Sequence, residues 1–89
     1  MTTATQTTTY YKYDDPGHGW LQVPLTELDR LNITFQISVV SYRKGEFAYL
    51  EEDCDMSRFL RAKEAAGEEF KIHRIYEDGG SKIRGYRSF

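Results

Sequence analysis

The chain has 89 residues, 12 of them Lys or Arg against 14 Asp or Glu, for a formal net charge of −2. That length holds one domain and one core, and the acidic balance argues against a general binder of phosphate backbones, which carries a net basic field. A single cysteine, Cys54, excludes an internal disulfide and makes a reducing cytoplasm the expected compartment, while no apolar run nears the roughly 18 residues that a bilayer crossing needs.

Residues 1–9 hold six Thr and lack the basic and apolar regions of a signal peptide, so they read as a flexible arm that joins the fold near Thr8. Residues 10–89 then form the single domain. Tyr10, Tyr11, Lys12 and Tyr13 favour a first strand. Asp14-Asp15-Pro16-Gly17-His18-Gly19 gathers turn formers of every kind and predicts a sharp loop. A short return strand over residues 20–23 follows. Leu25, Leu28 and Leu31 recur at helical spacing behind Pro24, which predicts a short helix ending near Asn32.

Phe35, Ile37, Val39, Val40 and Tyr42 predict a strand over residues 35–43 that turns at Lys44-Gly45 and returns over residues 47–51. Met56, Phe59, Leu60, Lys63 and Ala66 follow the i, i+3, i+4 pattern of a second helix. Asp53 or Asp55 is its expected N-cap and Gly67 its left-handed stop. Phe70 and Ile72 open a fifth strand, Asp78-Gly79-Gly80 turns the chain, and residues 83–89 read as a last edge strand or an ordered tail.

The order β-β-α-β-β-α-β predicts an α+β fold, with an antiparallel or mixed sheet of about four to six strands and both helices on one face.

Four groups of residues could carry function. The loop with His18 and Trp20 could hold an anion on its backbone N–H groups or plug a partner's pocket with the indole; the alternative is a plain turn with Trp20 in the core and His18 solvated. Glu51, Glu52, Asp53 and Asp55 put four carboxylates into five residues. They lack the alternating spacing of a calcium loop, which leaves helix capping, or an acidic patch that occupies a basic groove on a partner. Cys54 could act as a nucleophile only if its thiolate were stabilised, and the neighbouring carboxylates oppose that, so a small buried apolar residue is expected. Lys82, Arg84, Tyr86 and Arg87 interleave cations with a ring, as a nucleic-acid grip does, although a solvated edge would look the same.

Asp15-Pro16-Gly17-His18-Gly19-Trp20, Val23-Pro24 and Tyr49-Leu50-Glu51-Glu52-Asp53-Cys54-Asp55 together resemble small, uncharacterised proteins of bacteriophages, prophages and mobile elements. The resemblance runs from about residue 10 to the C-terminus and brings no assigned chemistry. It implies a chain that works in the bacterial host cytoplasm by blocking a host protein complex, as anti-CRISPR inhibitors of this size and charge do. The expectation is a non-enzymatic binding protein that takes no cofactor and no metal. Its partner would be a host protein, and the small, aromatic-edged sheet also invites a homodimer. The alternative is a nucleic-acid-binding accessory protein.

Overall fold

β-Branched and aromatic side chains fit a pleated, half-buried surface, and Thr8–Asp14 forms the first strand, β1. The structure is a computed structural model that describes residues 7–89. Most of the expected Thr-rich arm lies outside the described residues, but Thr8 and Thr9 belong to β1 and pair with a neighbouring strand. The Pro-Gly loop returns the chain as β2 (Gly19–Pro24), antiparallel to β1, with Tyr13 opposite Trp20. Gly19 leaves room for the Lys12–Asp14–Glu52 cluster. A Cβ there would collide with the Asp14 carboxylate and stand 3.0 Å from Lys12 Nζ.

Pro24 caps α1 (Leu25–Arg30). The hairpin of β3 (Tyr42–Lys44) and β4 (Phe47–Glu51) turns at Gly45, whose φ of 62° is cheap only for glycine. Then come α2 (Asp55–Ala65), β5 (Phe70–Tyr76), a 3-10 turn over Lys82–Gly85 and the short β6 (Arg87–Ser88). The six strands form one mixed sheet in the order β5-β1-β2-β4-β3-β6. Every pairing is antiparallel except β1 with β5, which is parallel from Thr8 opposite Phe70 to Asp14 opposite Tyr76.

Alternation along the strands divides the interior into two clusters. On the helix side, Tyr10, Leu21, Val23, Ala48 and Leu50 pack against Leu28 of α1 and Phe59 of α2, so both helices cover the same face. The Tyr10 and Phe59 rings meet edge to face at 5.1 Å. On the opposite face, Trp20 and Tyr49 are covered by Ile83 of the 3-10 turn. A polar clasp joins the helices: Arg30 of α1 forks onto Glu68, which also accepts from the buried Lys63 of α2.

Two expectations need correction. The strand over residues 35–43 contracts to Tyr42–Lys44, and Thr34–Gln36 is a 3-10 turn followed by irregular chain. The cause is a side chain. The Asp55 carboxylate accepts from Ser38 N at 3.0 Å, Ser38 Oγ at 2.8 Å and Ser41 Oγ, which gathers residues 38–41 into a turn. For the same reason Asp55 does not cap α2. The N-cap residue is Cys54, and no side chain caps the helix there.

Candidate functional site

The β1–β2 loop is built around Asp15. Its Oδ1 accepts from the backbone N–H groups of Gly17 and His18, both at 2.9 Å, as an Asx turn does. Its Oδ2 accepts from Ser81 N at 2.9 Å, and the Arg84 guanidinium bridges both oxygens at 2.8 Å. One carboxylate therefore fixes the loop and ties the C-terminal segment to it. The forked Arg84 and the converging N–H groups hold the Asp15 carboxyl far below the usual carboxylate range.

Beside this hub lies a cavity of about 590 Å³ lined by His18, Trp20, Ser38, Val40, Tyr42, Glu51, Cys54 and Arg84. The Arg84 guanidinium stands 5.3 Å from the Trp20 ring centre and the His18 ring 5.9 Å from it. Trp20 is 2% exposed, and its Nε1 is buried without a hydrogen-bond partner. Buried indole N–H groups usually find one, so this donor is left unspent inside the fold. His18 Nδ1 lies 3.8 Å from Glu51 Oε1. The cavity thus brings a loop imidazole, a strand-end carboxylate, a thiol and a guanidinium into one wall.

Several proposed site residues stand elsewhere than the sequence suggests. Trp20 is buried and cannot reach out as an anchor; the alternative of a core indole with a solvated His18 describes the loop. The acidic run is not a surface patch. Asp55 is 0% and Glu51 8% exposed, and Glu52 is drawn to Lys12 Nζ at 2.7 Å, which leaves only Asp53 fully exposed. Alternation at the end of β4 turns Glu51 and Glu52 to opposite faces, and the Ser38 and Ser41 donors pull Asp55 inward. Cys54 is half-buried, with its Sγ 3.9 Å from Ser38 Oγ. His73, on β5, is exposed and stacks edge-on with Tyr11.

The basic group divides as well. Arg84 is committed to Asp15, and Lys82 lines a small cavity with Tyr13 and Glu77. Tyr86 and Arg87 instead meet two cations that the sequence reading left out. Arg43, Lys44, Tyr86 and Arg87 line a cleft of about 440 Å³, in which Lys44 Nζ stands 4.7 Å over the Tyr86 ring. Arg43 and Arg87 are opposite one another in the β3–β6 ladder, a pairing with no local sequence signal.

The loop after α1 carries the third feature. Phe35 is 77%, Val39 72% and Val40 50% exposed. Val40 continues into the cavity wall. No protein-family model, curated protein or solved structure matches the chain.

Proposed function

We propose that this chain is a non-enzymatic binding module that works by protein–protein contact through the apolar loop of residues 35–40. The carrying observation is the exposure of Phe35, Val39 and Val40 within six residues of a polar chain; large apolar side chains shown together to water mark contact surfaces. The loop is held in place before any partner arrives. Asp55 fastens Ser38 and Ser41, and Ser88 Oγ donates to the Val39 carbonyl at 2.6 Å. A preformed loop loses little conformational freedom on docking, which favours affinity.

Its partner, in this reading, is a host protein complex, and the chain acts as an inhibitor of the kind that phages and mobile elements carry. The support is the resemblance of the Asp15–Trp20 and Tyr49–Asp55 motifs, together with the small size. Affinity capture from a prophage-bearing host lysate with the wild-type chain and with the Phe35→Asp/Val39→Asp variant tests both points. The expected result is a host complex held by the wild type and at least tenfold depleted on the variant, with an unchanged melting temperature. Equal capture by the two chains would dismiss the loop.

A second reading, a nucleic-acid accessory protein, is favoured by the cleft of Arg43, Lys44, Tyr86 and Arg87. Three cations beside a ring match the chemistry of a single-strand groove. None of the three forms an ion pair among the described residues.

A further inference from the structure

We infer that His18, Glu51 and Asp53 form a binding site for a divalent transition-metal ion of the zinc class. One ligand atom from each residue lies within 4.8 Å of the other two. They come from two places, the β1–β2 loop for His18 and the end of β4 and the residues after it for the two acids, so the fold brings the imidazole to a neighbouring pair of carboxylates. Ligand atoms around a tetrahedral ion at roughly 2.0–2.2 Å stand about 3.3 Å apart. His18 and Asp53 are exposed and free to rotate the remaining distance.

The arrangement has the features of a site in which the least mobile ligand is already aimed. Glu51 is 8% exposed; its Oε2 accepts from Asp53 N at 2.7 Å, which fixes the carboxylate, and its Oε1 has no hydrogen-bond donor among the described residues and faces His18 Nδ1. That oxygen is not sealed in the core but opens onto the cavity that Glu51 lines, where an ion can reach it. No Lys or Arg meets the Glu51 or Asp53 carboxylate among the described residues, where the one basic neighbour of Glu51 is the His18 imidazole. Two carboxylates and a neutral imidazole leave a local charge that a divalent ion cancels.

Support from behind the ligands is present as well. The His18 backbone N–H is held by Asp15, itself clamped by Arg84, so the loop presenting the imidazole is fixed. An imidazole nitrogen with two carboxylates selects borderline ions such as Zn²⁺ over Ca²⁺ and Mg²⁺, which take all-oxygen shells. Three protein ligands are also the number found in zinc sites that keep one position for water or a ligand, and His18 and Glu51 here line the 590 Å³ cavity. Cys54 lines the same cavity but falls outside the ligand cluster.

Titration calorimetry of the full chain with ZnCl₂, after treatment with chelator and its removal, tests the site. One saturating equivalent is expected. His18→Ala and Asp53→Asn are each expected to weaken binding at least tenfold, and His73→Ala and Cys54→Ser to leave it unchanged. Both ligand side chains are exposed, and a melting temperature within a degree or so of wild type would confirm that neither variant acts through the fold. In NMR spectra the His18 ring signals should move with Zn²⁺ while those of His73 stay. Heats without saturation, wild-type affinity in His18→Ala, or loss of binding in Cys54→Ser would each overturn the assignment.

Discussion

Asp15 takes five hydrogen bonds on one carboxylate, two from the loop that follows it, one from Ser81 and two from Arg84. Its carboxyl is held below the unfolded value of about 3.9. Glu68 is lowered to about 2, by Arg30 first and then Lys63, and Glu27 is lowered chiefly by Arg30. In all three cases the folded chain binds fewer protons than the unfolded one. The stability they supply is complete above the unfolded carboxylate values and is lost progressively below them, as pH falls towards and through the lower folded values. Urea unfolding of the wild type should therefore show a midpoint that falls from pH 5 to pH 2. Asp15→Asn should be less stable at pH 6, and the gap to wild type should narrow below about pH 4. A constant gap would mean that the Asp15 charge contributes nothing to stability.

Among the elements, α2 shows its apolar face and its C-terminal stop in the sequence, though not its N-cap. Met56, Phe59 and Leu60 fall on one face, and Gly67 ends the helix with a φ of 72°. Phe59 is 0% exposed and packs on Tyr10, so Phe59→Ala should cost about 3–5 kcal/mol in chemical denaturation, against a smaller loss for the half-buried Leu60. Equal losses would mean that the two sites are equally packed. The same readable logic extends to the Pro-Gly loop, the Lys44-Gly45 turn and β5, whose residues carry their own turn or strand preference. Residues 37–41 mislead because their β-branched side chains promise extended chain, while the deciding interaction comes from Asp55, distant in sequence and outside any periodic pattern. The acidic run misleads for a related reason: composition shows four negative charges, but only the fold shows that Lys12 engages Glu52 and that Ser38 and Ser41 engage Asp55.

Across the whole molecule, one mixed sheet separates a helix-covered face from a face capped by the 3-10 turn of Lys82–Gly85. The parallel β1–β5 pairing and the β3–β6 pairing have no local signature, since their partners meet only after the intervening chain has folded. These pairings set the functional geography. The second brings Arg43 and Lys44 to Arg87, so the basic cleft belongs to the tertiary structure alone. If it holds single-stranded nucleic acid, log affinity should fall with log salt at a slope of about −0.7 per phosphate neutralised, roughly −2 for three contacts. Arg43→Glu/Arg87→Glu should flatten that slope, and a filter-binding series without salt dependence would remove the reading. On the sheet's other half, the chain's one tryptophan stands in the wall of the large cavity, with an imidazole and a guanidinium over its ring. Indole emission in this protein therefore comes from a single, known place. Anything that enters the cavity or pulls His18 aside changes how that emission is quenched, so the unlabelled chain carries its own optical gauge of occupancy.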